Sequence, residues 1–494
     1  MIKKELIGKT ALTFFLMLLL IADVGFSFLQ HYSMPFDGDM AGGIVPADDV
    51  MPVLAHPFGF RAILEQSTYP NPNRFFSHKI FYEYFNVIPI FLQHFTNPLN
   101  SAYLSCALAK TGIQVALIFL VSLVVSRGRI NRDFLLSAVL VAPLFQTNGY
   151  RSYMGIIDSS TTYAFFYALP TVFVLIYFMP VFLNVLYNHK LSNRIISKIF
   201  FIFLAIVSSL SGPLNPGISL VISFLVVLGF LMKSYKSFNP THFISWIKFF
   251  HISVPKGVWF HLMPICVLSV YSLALGTYNS IGVEQAISLA NRYEKLPEGI
   301  FFSFFQKLGF PILFFFLFVN TRLVSLTLRT EDGLRIMQAI KWFFLFAFMY
   351  ICVLPLGGYR DYRPLVLRYD TIIPVTLGLM FLFSITTIYV IKNMSRRMAY
   401  WYLPFVTAVI FLFSNADRGK FNQNLCEHTA LMRIANSQER IVRIDKNCSV
   451  LSWGAIYCPE ESRLQSQLLR KWRVIEEDKL YHHVREDGEV GCGE

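Results

Sequence analysis

Asp37 and Asp39 stand on either side of a glycine in the stretch FDGDMAGGIVP, and Gly42 and Gly43 follow directly. Two carboxylates one residue apart can share a divalent cation, or one can act as a general base while the other holds a partner. The glycines allow a tight turn and a close backbone approach to a ligand. The bland counterpart is an acidic turn that keeps a loop in water. A calcium-loop register fails on its own terms. With Asp37 at position 1, Gly42 falls at 6 and Asp48 at 12, but Ala41 occupies position 5 and Val45 and Pro46 follow without a helix.

A second cluster lies in LGGYRDYRPLVLRYD, residues 356–370, where Arg360, Arg363 and Arg368 crowd with Tyr369. Guanidinium forks match phosphate oxygens, so a lipid-linked phosphate is a natural partner. Neutralisation of Asp361 and Asp370 is the purely local alternative. Asp158, near Arg151, either completes a site with the first loop or caps a helix starting near Ser160. His56, His78 and His94 share the first loop without metal-ligand spacing and read as polar interface residues, His56 and His78 being kept as additional site candidates. Lys110 is expected to snorkel outward from its span, with a phosphate contact as the other reading. No P-loop, dinucleotide fingerprint or serine-hydrolase elbow occurs, which argues against a nucleotide-driven pump or kinase.

The elements that must position these residues are membrane helices. The chain of 494 residues is 55% hydrophobic and 15% charged, with 50 Phe, a composition that excludes an ordinary soluble domain. Its apolar residues come in long blocks, and a span needs about 20 of them. Roughly eleven such runs fall near 9–29, 101–126, 134–148, 163–187, 197–212, 217–232, 257–276, 300–320, 341–356, 371–391 and 400–414. The net charge of +13 is a topology signal and not a nucleic-acid footprint. About twenty Lys and Arg flank alternate loops, among them Lys3, Arg127, Arg194, Lys233, Arg335 and Lys392, against about nine in the longer opposite loops. That asymmetry predicts a cytoplasmic N-terminus and an extracytoplasmic C-terminus.

Three regions beyond the arginine loop fall on the outer side. Residues 30–100 form a large first loop, whose stretch from Lys79 to Phe95 reads as an interfacial helix broken at Pro89. Residues 147–163 are short and polar, and an amphipathic helix is expected between Val283 and Arg292. From 415 to 494 the chain turns soluble in character. RIVRID and SVLSWGAIY alternate like strands, and a charged helix is expected from Glu460 to about Asp478. Cys426, Cys448, Cys458 and Cys492 all lie in this tail, which suits disulfides in an oxidising compartment, with the pairing open. The expected fold is thus an all-α polytopic membrane protein of about eleven transmembrane helices, residues 1–414, with a small α/β extracytoplasmic domain, residues 415–494.

This layout resembles the GT-C glycosyltransferase superfamily: an inward N-terminus, a first span, a large outer loop opening with an acidic motif, here DGD at Asp37 to Asp39, many further spans and a small outer C-terminal domain. LVLRYDTIIP, Leu365 to Pro374, is similar to a late-loop pattern of such enzymes. The chain lacks a WWD-type acceptor motif and has Asp-Gly-Asp where O-mannosyltransferases have an Asp-Glu pair. The resemblance implies transfer of a sugar from a polyprenyl-phosphate donor to a lipid, glycan or protein acceptor, with inversion, at the outer face of a bacterial inner membrane in cell-surface glycan synthesis. By the same resemblance Asp37 or Asp39 would activate the acceptor hydroxyl. Arg363 and Arg368, with Arg360, would hold the leaving phosphate, Tyr369 would line the sugar and lipid path, and Asp158 would assist through a divalent cation if one is used. The rival readings are a transporter or flippase of lipid-linked sugars, a polysaccharide polymerase or ligase, and a structural subunit of an assembly complex. Nearly charge-free spans speak against the transporter.

Overall fold

The computed structural model describes residues 2–145, 154–235, 249, 252–281, 287–305, 308–326, 330–357, 365–445 and 448–484, with side chains from residue 10 onward. The protein is a helical bundle of membrane type. Among the described residues, nine helices are long and apolar enough to cross a bilayer: Thr10–Tyr32, Pro98–Val125, Thr161–Tyr187, Leu214–Tyr235, Lys256–Gly276, Gly309–Leu326, Glu331–Gly357, Ile373–Asn393 and Arg396–Ala416. Two of the eleven expected runs are shorter. Residues 134–148 supply Arg132–Val141 and a tight turn, Ala142–Leu144, while 197–212 supply Ile195–Ser209. The run expected at 300–320 is divided, with one helix over Leu296–Phe305 and the spanning one displaced to Gly309–Leu326. Composition could not see the displacement because phenylalanines fill both pieces.

Contacts at the helix termini sort the bundle into two ends. At one end Thr162 meets Asp37, and Tyr103, near the start of Pro98–Val125, meets Glu427. At the other, Arg127 pairs with Asp332 at 2.6 Å and Lys392 with Asp133 at 2.5 Å. The short helix Arg132–Val141 begins at the second end, where Asp133 meets Lys392, and Asp158 lies at the first. Ile373–Asn393 is the central post, buried over 83% of its apolar window. Phe316, Phe383, Tyr350 and Leu313 fill the core around it.

The first loop and the C-terminal segment build a second core together. Helix Phe75–Leu92 carries Phe81 and Phe85 on its buried face and accommodates Pro89 without breaking, contrary to the expectation of a break there. Phe36, Met40, Phe81, Phe85 and Tyr103 pack with Leu431, Val442, Leu451, Leu468, Trp472 and Tyr481. The segment from residue 417 on therefore shares its core with the first loop.

Within that segment, helices Leu425–Asn436 and Arg463–Lys471 flank two parallel strands, Ile441–Ile444 and Leu480–His483, with Ile441 opposite Leu480. RIVRID is the first strand, as expected. SVLSWGAIY is a loop, because Val450, Leu451 and Ile456 all turn into the core and Trp453 alone points to solvent. The charged helix stops at Lys471, where the fully buried Trp472 turns inward to donate its Nε1 hydrogen to the Phe85 carbonyl at 3.1 Å. Cys426 and Cys448 form a disulfide, and Cys458 is also disulfide-bonded. Cys492 lies outside the described residues, as do residues 283–286 of the stretch Val283–Arg292 expected to be an amphipathic helix, and the helix described there runs over Leu289–Glu294.

Candidate functional site

Helix Ile2–Tyr32 ends one turn before the DGD motif, so the motif sits where the first span gives way to the first loop. Its two acids have opposite environments. Asp37 is buried, and both carboxylate oxygens are engaged by one residue: Thr162 donates its backbone N–H to Oδ2 at 3.0 Å and its hydroxyl to Oδ1 at 2.7 Å. Thr162 lies in the first turn of the helix Thr161–Tyr187, whose N-cap is Ser160 accepting from the Tyr163 N–H at 3.2 Å. A carboxylate there satisfies an orphan donor and faces the positive end of the helix. Burial pushes the Asp37 carboxyl above its usual range and the bonds from Thr162 pull it back. Asp37 ties the first loop to Thr162, 125 residues later in the chain.

Asp39 is exposed. Its Oδ1 accepts the indole N–H of Trp453 at 3.0 Å, a contact across 414 residues. The glycine between the acids is required by this contact. A Cβ on Gly38 would stand 2.6 Å from the Trp453 backbone nitrogen and 2.5 Å from its indole Cδ1, closer than side chains approach. Gly43 is likewise pressed by the Phe81 ring, 2.9 Å from where its Cβ would be.

One buried residue holds both sides of the Asp39–Trp453 contact. Glu427 accepts the backbone N–H of Phe36 at 2.9 Å through Oε2 and that of Leu451 at 2.9 Å through Oε1, and Tyr103 donates its hydroxyl to Oε2 at 2.9 Å. Phe36 precedes the motif by one residue and Leu451 precedes Trp453 by two. Burial pushes the Glu427 carboxyl up to about 7, the three donors opposing it and the nearby Asp37 adding to it.

Beneath the motif lies a buried polar floor. Lys110 is fully enclosed and does not snorkel. It donates to the Ser159 carbonyl at 3.0 Å and contacts the Met34 sulfur at 3.2 Å, within electrostatic reach of Asp37 and Asp158. Asp158 accepts the Ser160 N–H at 2.9 Å, forming the turn that leads into the helix. That helix opens with a π-turn over Ala164–Ala168, a feature often found at functional sites. The turn sends Phe165 against Phe81 and Phe85, and Phe166 against the buried His78 ring at 4.6 Å. Arg74 lies over Phe166 and Tyr167, 6.0 and 5.8 Å from their centroids. Burial beside Arg74 lowers the His78 imidazole to about 3, so it stays neutral.

His56 sits 3.4 Å from the Arg61 guanidinium, away from the motif. Arg368 pairs with the buried Asp370 at 2.6 Å and reaches the Leu365 carbonyl at 3.4 Å. Tyr369 is half-buried beside it, its phenol raised to about 12 by burial and by Asp370. Arg368 stands at the same end of the bundle as Asp37, since the far end of its helix carries Lys392. Among the described residues, no hydrogen bond or ion pair joins it to the motif. Arg151, Arg360 and Arg363 lie outside those residues. No group of three His, Cys, Asp or Glu side chains able to hold a metal occurs among the described residues, and both Asp37 oxygens are committed to Thr162. The motif as folded does not fit a carboxylate pair chelating a cation.

Sequence reasoning passed over Thr162, Trp453, Glu427 and Arg74. Only Trp453 carried a signal, as an aromatic beside Gly454 in a stretch that alternates like a strand. Comparison of the chain with protein-family models, with curated proteins and with solved structures yields no match.

Proposed function

We propose that the chain is a membrane glycosyltransferase that takes a sugar from a polyprenyl-phosphate donor and passes it to a lipid or glycan acceptor. The observation that carries this reading is the division of labour in the DGD motif: one carboxylate is locked into the fold and its neighbour is presented to solvent at the end of a span. In this reading Asp39 is the general base and Asp37 the positioning residue. Asp39 takes the proton of the acceptor hydroxyl as that oxygen bonds to the anomeric carbon. The bond from that carbon to the phosphate oxygen breaks on the opposite face, and polyprenyl phosphate departs with the electron pair, giving inversion. A guanidinium has five N–H donors, and Arg368 commits two nitrogens to Asp370 and Leu365, which leaves a face for the departing phosphate where charge develops. No step requires a metal.

The same reading makes the motif's end of the bundle extracytoplasmic, with eleven crossings once Arg132–Val141 and Ile195–Ser209 are counted, an inward N-terminus and an outward C-terminal segment. The basic residues Arg127, Arg335 and Lys392 gather at the opposite end, as the positive-inside rule asks. The test is transfer from a panel of polyprenyl-phospho-hexoses and -pentoses by the protein in lipid nanodiscs. Asp39→Asn is expected to lower kcat at least about 100-fold, the usual contribution of a general base, with donor affinity kept. Full activity in Asp39→Asn, or no transfer from any donor, overturns the proposal.

A further inference from the structure

We infer that Trp453, Tyr163 and Asp39 form a carbohydrate subsite that seats a pyranose ring, with the indole as its platform. The inference rests on the glycosyl-transfer reading and adds the residues that recognise the sugar.

Trp453 is 59% exposed, while Trp472 of the same segment is fully buried. An exposed indole on a loop is normally free to swing, and this one is fixed from four sides. Its N–H is held by Asp39, and its backbone nitrogen is pressed on Gly38. Leu451, two residues earlier, is anchored to Glu427, and Ser452 donates to the Gly454 carbonyl at 2.5 Å. Tyr163 stands beside it with ring centroids 5.7 Å apart and planes inclined by 34°, making a shallow shelf. Tyr163 in turn meets Tyr167 edge-on at 6.0 Å, so the shelf continues toward the ring beneath Arg74.

A rigid aromatic surface next to an exposed carboxylate has the chemistry a pyranose needs. The sugar lays its C–H face on the π-system, and a ring hydroxyl donates to the carboxylate at its edge. Preorganisation limits the ordering cost of binding. An interfacial tryptophan that merely anchors a protein in lipid would turn its N–H to the headgroups. Here that N–H is taken by Asp39, which fixes the ring relative to the base. The chain thus supplies the base from its first loop and the platform from its C-terminal segment.

The test uses saturation-transfer NMR with the methyl pyranosides of glucose, galactose, mannose and N-acetylglucosamine, and the full-length protein in phosphatidylcholine nanodiscs. At least one glycoside is expected to receive saturation. Trp453→Ala and Trp453→Leu should lower that signal at least about fivefold, and Trp453→Phe, which keeps a π-face and loses the N–H, should retain about half. Resistance of residues 417–484 to protease reports that each variant is folded. A signal equal in the alanine and leucine variants, or no signal from any of the four glycosides, overturns the subsite. Because binding is read without turnover, Trp453-dependent binding with no transfer sinks the transferase reading alone. Transfer with an unchanged KM in Trp453→Ala sinks the subsite alone.

Discussion

Replacing Glu427 tests the claim that one buried carboxyl registers the two ends of the chain. In Glu427→Ala the Phe36 N–H, the Leu451 N–H and the Tyr103 hydroxyl all lose their acceptor. A buried donor left without a partner costs about 1–3 kcal/mol, so the low end for three donors gives about 3 kcal/mol. The loss falls on the packing of residues 417–484 against the first loop, since those are the parts that Glu427 joins. Protease cleavage within that segment follows the population of its opened form when closing is fast, and 3 kcal/mol corresponds to roughly 150-fold faster cleavage. Glu427→Gln removes the titration and keeps one acceptor oxygen, while its amide nitrogen, a donor, takes the place of the other. The Glu427 carboxyl has an ordinary value of 4.5 and stands at about 7 in the fold. The folded state therefore keeps a proton that the opened state has already lost. Wild-type stability falls as the pH rises from 4.5 to 7, by up to about 3 kcal/mol, and is flat above 7 with respect to this group. The glutamine variant lacks that slope. Cleavage of Glu427→Ala within twofold of wild type, or a glutamine profile parallel to the wild-type one over that range, would refute the reasoning.

Two further substitutions probe the motif's surroundings. Gly38→Ala puts a methyl group where the Trp453 backbone stands, and overpacking of this kind costs about 1–3 kcal/mol; the Trp453 loop is expected to move, read as a changed emission maximum relative to a Trp453→Phe background, and unchanged emission would contradict the close approach. Lys110→Met leaves Asp37 and Asp158 without their buried cation, at a cost of about 3 kcal/mol in thermal unfolding, and adding Asp37→Asn should restore part of it. Additive losses in that double variant would show that the two charges do not interact.

The bundle was readable from composition because lipid leaves a chain few options: long apolar runs must become helices. What composition misjudged were lengths. Arg132–Val141 is too short to register as a span by itself, and its role emerges only from Asp133 and Asp158 lying at opposite ends. The DGD motif was visible as a spacing of acids, but the difference between them was not, since it depends on Thr162 and Trp453, which are distant in sequence. Local alternation misled at SVLSWGAIY for the same reason. Its apolar residues turn into the core shared with the first loop, while Tyr481 and His483 of the second strand hold its backbone at Val450 and Ile456. Lys110 read as a snorkelling residue because its partners, the Ser159 carbonyl and the Met34 sulfur, carry no charge that a sequence would advertise.

The second core also dictates an order of assembly. Phe36 and Phe85 are made early in synthesis, yet their packing partner Trp472 follows every span among the described residues. Until then the first loop must wait with a large aromatic surface open, and Asp39 has no indole to meet. A nascent chain arrested between residues 39 and 453 carries the whole DGD motif without the indole that Asp39 meets. Completion of the C-terminal segment thereby closes the second core and sets the Trp453 indole against Asp39.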